Sequence, residues 1–339
     1  MADQLSSTAR ALVAENKGIL AADESFPTIE KRFKSIDIPN TEDNRQAYRD
    51  MLFGTPRLEE FISGVILFDE TLRQSASDGT PFAEALTKRG IIPGIKVDAG
   101  AKDLANHPGE KVTEGLDGLR ERLSEYVSLG ARFTKWRAVI AIGDGLPTEY
   151  CIHANAHALA RFAALSQEAG LVPIVEPEIL MDGDHAIDSC FDATSRTLNA
   201  LFSELADAKV SLEGTLLKTN MVLSGKDAAE QADVEEVARQ TVKCLGDTVP
   251  SEIPGVVFLS GGQTDELSTA HLNAMSQIEH GPWELSFSYG RALQAPSLKA
   301  WKGEASNVEA GQRALHHRAK LNGAARSGSY TKDMENETV

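Results

Sequence analysis

The feature that most constrains the fold is a repeated alternation of two kinds of segment. Eight short runs rich in β-branched and apolar residues are separated by longer segments with helical periodicity. The predicted strands are 18–24, 64–70, 92–98, 132–140, 172–178, 214–220, 256–262 and 284–290. The predicted helices include 116–128, 149–168, 188–206, 233–245, 264–278 and, after the last strand, an Ala-rich helix over about 306–325. This alternation predicts a (β/α)8 TIM barrel of the α/β class, although an open doubly wound sheet with extra strands also fits it.

The length of 339 residues suits one barrel with extra terminal helices, because α/β barrels routinely exceed the usual size of a single domain. No Gly/Ser-rich or Pro-rich linker divides the chain. We therefore predict a single barrel domain over residues 1–325 and a mobile polar C-terminal tail over residues 326–339.

Charge and composition argue against several classes of function. The formal net charge of -16 repels nucleic acid and anionic membranes, so neither is expected as a partner. The apolar runs are too short to cross a bilayer, and the N-terminus lacks the apolar run of a signal peptide, which predicts a cytoplasmic protein. Cys151, Cys190 and Cys244 are widely separated and form no CxxC motif, so each is interpreted as a buried structural thiol.

Polar and charged residues end the predicted strands, where a core would need apolar side chains. In a barrel these ends converge on one mouth, which is where active sites of this fold lie. Buried lysines are costly unless they are paired or functional, so we predict an active site there and not a set of snorkelling edge residues. The strand-end residues are Asp23, Asp69, Lys96, Asp98, Lys135, Arg137, Glu176, Glu178, Lys218, Ser260, Gly261, Gly262, Gly290 and Arg291.

Two glycine-bearing loops in the last third of the chain predict a phosphate site. Each loop follows a predicted strand and precedes a helix, and together they contribute Ser260, Gly261, Gly262, Gly290 and Arg291. Backbone amides at helix N-termini bind phosphate, and the loops after the last two strands are the usual phosphate site of this fold. Lys96, Lys135 and Arg137 form a second cationic group across the mouth, which predicts a ligand with two phosphates.

No metal or organic cofactor is expected. His153 and His157 are spaced i, i+4 on a predicted helix, but the Glu of an HExxH motif is missing, so we interpret them as surface or packing residues. The aspartates of MDGDH (181–185) are too few for a calcium loop, and helix capping is the preferred interpretation. The sequence contains neither a nicotinamide fingerprint nor a P-loop.

A mouth with lysines and carboxylates but no expected cofactor suggests covalent catalysis by an amine. A neutral lysine attacks a ketone to give an iminium, which then acts as an electron sink. Burial and a neighbouring cation both favour the neutral amine. Lys218, in an apolar strand with Lys135 and Arg137 at the same mouth, meets both conditions. Lys135 is its competitor for the role of nucleophile, and sequence spacing leaves that choice open.

Seven segments resemble the class I fructose-1,6-bisphosphate aldolases and occur in the order of that family. They are GILAADES (18–25), GIKVD (94–98), TKWRAVI (134–140), VPIVEPEI (172–179), LEGTLLKTNMV (212–222), LSGGQ (259–263) and SYGRALQ (288–294). The similarity runs from about residue 4 to residue 330. It implies a homotetrameric (β/α)8 barrel that cleaves fructose 1,6-bisphosphate reversibly to dihydroxyacetone phosphate and glyceraldehyde 3-phosphate through a lysine Schiff base, without a metal, in glycolysis and gluconeogenesis.

The resemblance also implies a role for each matching residue. Lys218 matches the Schiff-base lysine, and Glu176 matches the carboxylate that dehydrates the carbinolamine and deprotonates the C4 hydroxyl. Glu178 matches the carboxylate beside the nucleophile, Asp23 the aspartate that orients the substrate hydroxyls, and Lys135 the lysine whose charge supports the intermediates. The implied phosphate-binding residues are Ser260, Gly261, Gly262, Gly290 and Arg291 at the ketone end, Lys96 and Arg137 toward the aldehyde end, and Arg32 and Thr28 at one phosphate.

The chain departs from the family pattern in three places. FPTIEKR follows AADES where many members have TGSIAKR, so Thr28 replaces a serine and the loop lacks its glycine. LLKTN replaces LLKPN, so Thr219 restores a backbone N–H that proline lacks. We expect activity to persist with this replacement. Animal and plant members end in a tyrosine that folds over the site, whereas this chain ends in Val339 with Tyr330 nine residues earlier, so that role of the tail is not predicted.

Three alternative functions remain compatible with parts of the pattern. Cleavage of sedoheptulose 1,7-bisphosphate would use the same residues, a metal-dependent lyase would use another mechanism, and a scaffold or binding protein would have lost catalysis. The intact set of Asp23, Lys135, Glu176, Glu178 and Lys218 argues against the scaffold.

Overall fold

A computed structural model describes residues 2–337 of the chain and contains ten strands in that range. Eight of them are β1 (Gly18–Ala22), β2 (Ile62–Leu67), β3 (Ile92–Lys96), β6 (Phe133–Ile140), β7 (Val172–Ile179), β8 (Leu216–Thr219), β9 (Gly255–Phe258) and β10 (Glu284–Tyr289). These eight are parallel and form a closed barrel, while β4 (Ala101–Asp103) and β5 (Lys111–Thr113) form a separate antiparallel pair. Because β1 pairs with both β2 and β10, the predicted barrel is confirmed and the open sheet is wrong.

Twelve α-helices accompany the strands in the described part of the chain. They are α1 (Ala2–Leu12), α2 (Phe26–Lys34), α3 (Glu42–Phe53), α4 (Asp69–Arg73), α5 (Phe82–Lys88), α6 (Leu119–Ser128), α7 (Glu149–Glu168), α8 (Ile187–Asp207), α9 (Val234–Thr248), α10 (Asp265–Ser276), α11 (Arg291–Trp301) and α12 (Val308–Arg326). The six helices for which residue ranges were predicted are confirmed. Helices such as α4 and α5 were not predicted because they are too short to show a helical period. None of the helices within residues 2–337 is long and apolar enough to cross a membrane.

Helix α1 closes the bottom of the barrel. Its apolar face, formed by Leu5, Ala9 and Leu12, packs against the inward-facing side chains of the strands. Those side chains are Ile19, Ala21, Ile66, Phe133, Val172, Ile174, Leu216 and Val257. The ring of Phe133 on β6 lies over Gly94 on the adjacent strand β3, so closely that a side chain on Gly94 would collide with it. The lower half of the barrel is therefore a filled apolar core that supports whatever lies above it.

Strand alternation places charged side chains directly above this apolar core. Side chains two residues apart on a strand share a face, so each residue that follows an inward apolar residue by two positions also points inward. The four pairs are Ala21 and Asp23, Phe133 and Lys135, Ile174 and Glu176, and Leu216 and Lys218. The upper layer of the barrel is therefore charged because, on four different strands, a charged residue follows an inward-facing apolar residue by two positions.

The residues after α12 contact that helix. Arg318, which is 2% exposed, lies with Nη1 2.5 Å from Oε2 of Glu335, and the hydroxyl of Tyr330 donates to Oε1 of Glu335 at 2.8 Å. Lys320 pairs with Glu337 at 2.7 Å. The mobility of the tail and the domain boundary stay predictions, and residues 338 and 339 at the end of the predicted tail lie outside the described residues.

The three cysteines are buried free thiols, as predicted. Burial raises the pKa of the Cys151 and Cys244 thiols to about 11, and it also raises the pKa of Cys190. Because a thiol must ionise to react, these groups are chemically quiet at neutral pH.

His271 on α10 should make the stability of the fold depend on pH. Its side chain is buried, Nδ1 lies 2.6 Å from Oε1 of Gln263, and burial lowers the pKa from 6.5 to about 4. The unfolded chain takes up a proton near pH 6.5 but the folded chain only near pH 4, so stability is lost as the pH falls through this interval, by about 3 kcal/mol in total from this residue. Urea unfolding from pH 7 to pH 4 measures the loss. The variant His271→Gln should show a shallower dependence, and identical dependences in the two proteins would contradict the assignment.

Candidate active site

A cavity of about 570 Å³ occupies the mouth of the barrel at the carboxyl ends of the strands. It is lined by every residue for which a catalytic or phosphate-binding role was predicted, namely Asp23, Thr28, Arg32, Lys96, Lys135, Arg137, Glu176, Glu178, Lys218, Ser260, Gly261, Gly262, Gly290 and Arg291. Two of the strand-end residues do not line this cavity. Asp69 pairs with Arg73 at 3.0 Å, and Asp98 pairs with Lys96 at 2.7 Å beside a neighbouring cavity.

The floor of the cavity carries four charged groups of alternating sign in contact with one another. Nζ of Lys218 lies 3.0 Å from Oε1 of Glu176. The other oxygen of Glu176, Oε2, lies 3.3 Å from Nζ of Lys135, which in turn lies 2.7 Å from Oδ2 of Asp23. Lys135 is therefore held between two carboxylates, whereas Lys218 contacts one carboxylate and has a side chain that is 5% exposed.

The contacts determine which of these groups are firmly charged. Burial raises the pKa of Asp23, but the ammonium groups of Lys135 and Lys218 outweigh it and hold that pKa below its ordinary value. Burial also raises the pKa of Glu176, and the same two cations together with Arg137 again lower it overall. For Lys135 burial lowers the pKa, but Asp23 and Glu176 outweigh burial and raise it. Lys135 is thus a fixed cation. Its contacts favour an electrostatic role for this residue and argue against its acting as the nucleophile.

One end of the cavity carries Arg137 and Lys96. Arg137 forms an ion pair with Glu178 on the adjacent strand β7. Burial lowers the pKa of Arg137, but Glu178 outweighs it, so the pKa is raised overall. Lys96 is opposite Lys135 in the register of β3 and β6, and its Nζ donates to the carbonyl oxygen of Asp98 at 2.8 Å. These two cations are anchored at the rim on elements next to the charged floor.

The other end of the cavity is formed by the loops after β9 and β10. Nη2 of Arg291 donates to the carbonyl oxygens of Gly261 at 2.9 Å and Gln263 at 2.5 Å, so this side chain joins the two loops. Gly261 has a φ of 51°, in the left-handed region that favours glycine. A Cβ atom on Gly290 would lie 3.5 Å from Nη2 of Arg32, so Arg32 belongs to the same end. The N-terminus of α11 and these two guanidinium groups form an environment suited to an anion.

Glu24 is a cavity residue that sequence reasoning missed. Its buried carboxylate forms ion pairs with Arg32 and Arg49 and accepts a hydrogen bond from Nε2 of Gln294 at 2.8 Å. Burial raises the pKa of Glu24, but the two guanidinium groups outweigh it and lower the pKa overall. Glu24 therefore holds Arg32 at the end of the cavity that is suited to an anion. The only sequence signal was its position beside Asp23.

Lys226 and Asp182 line the rim and were also missed. They pair at 2.5 Å across the loops that follow β8 and β7. The helix-capping interpretation of MDGDH is therefore wrong, because α8 begins after Ala186 and receives no side-chain cap, while the loop aspartate is used in this ion pair.

The two histidines of HANAH were predicted to be either surface or packing residues, and they lie on the protein surface. Both are exposed on α7, and Nδ1 of His157 lies 3.0 Å from Oε2 of Glu204. Within residues 2–337, no three His, Cys, Asp or Glu side chains are grouped so as to hold a metal ion.

The chain is similar over nearly its whole length to known fructose-bisphosphate aldolases. Residues 4–339 match the family model described as fructose-bisphosphate aldolase class-I. A probable fructose-bisphosphate aldolase class 1 of Xanthomonas campestris pv. campestris is 60% identical over 97% of this chain and 98% of that protein. A cytosolic fructose-bisphosphate aldolase of Arabidopsis thaliana is 51% identical over 98% of this chain and 85% of that protein. The solved aldolase of Plasmodium falciparum, in complex with TRAP and a small-molecule inhibitor, has a TM-score of 0.96 at 49% identity and covers 97% of this chain and 96% of its own.

Proposed function

The chain belongs to the class I fructose-bisphosphate aldolase family, and we propose that Lys218 is its Schiff-base nucleophile. The enzyme is a carbon–carbon lyase that cleaves fructose 1,6-bisphosphate to dihydroxyacetone phosphate and glyceraldehyde 3-phosphate. The observation that carries the assignment is the asymmetry of the floor. Lys218 is buried against one carboxylate, Glu176, whereas Lys135 is held as a cation by two.

Glu176 is the proton carrier of the proposed mechanism. Nζ of Lys218 first passes a proton to the carboxylate of Glu176, 3.0 Å away, and the neutral amine then attacks the C2 carbonyl carbon of the ketose. A further proton moves from this nitrogen to the carbonyl oxygen, which gives a carbinolamine. Protonated Glu176 then gives its proton to the departing hydroxyl, so that water leaves and the iminium forms. Its position 3.0 Å from Nζ places it within reach of that hydroxyl.

Cleavage follows from the iminium. A carboxylate on Glu176 removes the C4 hydroxyl proton, the C3–C4 bond breaks, and its electron pair moves to the iminium nitrogen as an enamine. The aldehyde leaves, and C3 takes up the proton that Glu176 removed from the C4 hydroxyl, which regenerates an iminium. A water molecule then hydrolyses this iminium, replacing the water lost when the first one formed. Asp23 orients the substrate hydroxyls, and Lys135 stabilises the negative charge that develops on the reacting oxygens. Glu178 holds Arg137 through their ion pair.

The two cationic ends of the cavity bind the two phosphates in this proposal. The loops of Ser260, Gly261, Gly262, Gly290 and Arg291, with Arg32 and Thr28, take the phosphate at the ketone end. Lys96 and Arg137 take the phosphate toward the aldehyde end. The support for this arrangement is the order of strands in the barrel, in which β3 and β6 lie opposite β9 and β10.

Replacing Arg291 with alanine should weaken substrate binding more than chemistry. Loss of a charge-assisted contact to phosphate is worth about 1.5–3 kcal/mol, which lowers kcat/KM about 10- to 100-fold, chiefly through KM. Steady-state kinetics with fructose 1,6-bisphosphate measure this effect. Lys299→Ala removes the same charge from an exposed position of α11 and serves as the matched control. An equal rise in KM for both variants would show that the general field, and not a contact, is responsible.

Substrate length separates the proposed activity from its nearest alternative. We propose fructose 1,6-bisphosphate as the preferred substrate over sedoheptulose 1,7-bisphosphate. Measuring kcat/KM for the two purified bisphosphates decides between them, and a larger value for the seven-carbon sugar would contradict the proposal. Activity that disappears after exhaustive chelation would instead identify a metal-dependent lyase.

We also propose that the enzyme is a cytoplasmic homotetramer. The location is supported by the cytosolic and cytoplasmic aldolases of Arabidopsis thaliana and Pisum sativum among its relatives. The tetramer is supported by the family resemblance. Light scattering should give four times the chain mass of 36.5 kDa, and a monomeric mass would contradict it.

A further inference from the structure

The two strands that carry Glu176 and Lys218 are only partly paired with each other. Strands β7 and β8 pair at Ile174 with Leu216 and at Val175 with Leu217, and the pairing ends immediately before the reactive side chains. On its other side β7 remains paired with β6 along its whole length. The seam between β7 and β8 therefore lacks a regular backbone ladder at the height of the active site.

A proline in β7 explains this gap. The amide of Leu180 donates to the carbonyl oxygen of Ile140 at 2.9 Å, so the even-numbered amides of this segment face β6. Successive amides of a strand point to opposite neighbours, so the odd-numbered amides face β8. Two of those odd positions are Pro173 and Pro177, which have no N–H to donate. At Pro177, the residue after Glu176, β7 therefore has no backbone N–H to donate to β8.

The side chain of Asn220 spans the seam just beyond this gap. Its Oδ1 accepts a hydrogen bond from the amide of Ile179 on β7 at 2.9 Å. Its Nδ2 donates to the carbonyl oxygen of Met221 at 3.0 Å and to Oγ1 of Thr194 on α8 at 3.2 Å. Asn220 is 5% exposed, so these bonds form away from water and fix the side chain in one orientation.

Thr219 is a weaker candidate for the same task. Its Oγ1 lies 3.5 Å from the carbonyl oxygen of Pro177 and 3.4 Å from Oδ1 of Asn220. Both distances are at the long limit for a hydroxyl hydrogen bond. The seam is therefore held chiefly by the contact between Asn220 and Ile179.

We propose that Asn220 is a positioning residue, which holds Lys218 and Glu176 at proton-transfer distance by closing the seam between β7 and β8. The proposal rests on the proposed roles of these two residues. Asn220 follows Lys218 by two positions and Ile179 follows Glu176 by three, so the hydrogen bond joins the strands directly above the 3.0 Å contact. Without it the two strands are free to separate at their ends, and a displacement of about 1 Å is enough to cost about 100-fold in rate.

The test compares variants of Asn220 with a variant of a second buried asparagine. Asn322 on α12 is also buried, accepts from Oγ1 of Thr269 at 2.9 Å and donates to the carbonyl oxygen of Arg318 at 2.8 Å, outside the barrel. Asn220→Ala removes the contact, Asn220→Ser is a smaller polar replacement in case the alanine variant does not fold, and Asn220→Asp keeps an acceptor for Ile179. Asn322→Ala is the matched control for loss of a buried amide.

Asn220→Ala and Asn220→Ser should lower kcat about 10- to 100-fold while KM for fructose 1,6-bisphosphate stays within about threefold, because the phosphate loops lie on other strands. Rapid-quench trapping with borohydride and dihydroxyacetone phosphate should show Schiff-base formation slowed by a similar factor. Asn220→Asp should recover part of the rate. Asn322→Ala should lose thermal stability and keep kcat.

Two results would overturn the proposal. One is a wild-type kcat and trapping rate in a folded Asn220→Ala or Asn220→Ser variant. The other is an equal fall of kcat in Asn322→Ala at an equal loss of Tm, which would mean that Asn220 only stabilises the fold. Mapping the wild-type adduct distinguishes failure of the proposed role of Lys218 from failure of the proposed role of Asn220. An adduct away from Lys218 refutes the proposed function, whereas an adduct on Lys218 with unchanged kinetics of the Asn220 variants refutes only this inference.

Discussion

Replacing Lys218 with alanine is expected to abolish turnover while leaving the barrel folded. The proposed iminium cannot form without this amine, so kcat should fall by at least about 1,000-fold. The fold should persist because Glu176 keeps its contact with Lys135 at 3.3 Å and is not left as an unpaired buried charge. A coupled assay for the triose phosphate products measures kcat, and thermal unfolding followed by circular dichroism measures stability.

The variant Lys218→Arg separates the nucleophile from its charge. Arginine keeps a cation beside Glu176 but does not form an imine, so this variant should be as inactive as the alanine variant. Substantial turnover in Lys218→Arg would mean that the residue acts through its charge alone. A large fall in the melting temperature of both variants would mean that Lys218 has mainly a structural role.

Replacing Glu176 with glutamine should have the second largest effect. A neutral amide has the shape of the carboxylate but cannot carry a proton to the carbinolamine hydroxyl or from the C4 hydroxyl, and loss of a general acid–base costs about 100- to 10,000-fold in kcat. Steady-state kcat with fructose 1,6-bisphosphate measures the loss, and KM should change much less.

Glu178→Gln is the matched control for this prediction. Glu178 belongs to the same EPE motif and the same strand, but it pairs with Arg137 and not with a lysine of the floor. Its replacement should therefore reduce kcat far less than replacement of Glu176. If the two variants lose activity equally, the assignment of proton transfer to Glu176 within this motif is wrong.

The location of the site was predictable because it follows from strand periodicity. Each charged residue of the floor comes two positions after an inward apolar residue, so recognising the strands was enough to place Asp23, Lys135, Glu176 and Lys218 on one surface. Strands as short as four or five residues were recognisable because they recur in regular alternation with helices.

The choice between Lys218 and Lys135 was not predictable from the spacing of residues. Both are inward-facing lysines near a strand end, and their difference lies in how many carboxylates reach each one across the barrel. Those contacts come from β1 and β7, which are distant in sequence from β6 and β8. Family resemblance favours Lys218, and the contacts favour it independently.

Glu24 and Lys226 were missed for a related reason. Strand β1 ends at Ala22, so alternation no longer determines where Glu24 points, and its partner Arg49 is 25 residues away on α3. Lys226 and its partner Asp182 are 44 residues apart in two loops, which carry no periodic signal. Tertiary contacts between loops and helices determine these positions, and single-sequence patterns do not contain them.

Borohydride reduction in the presence of dihydroxyacetone phosphate, followed by peptide mass mapping, identifies directly whether Lys218 forms the imine. Reduction converts the imine to a stable secondary amine and marks the lysine that formed it. We predict one adduct per chain, on Lys218, with activity lost in proportion to labelling. An adduct on Lys135, or no adduct at all in an active enzyme, would contradict it.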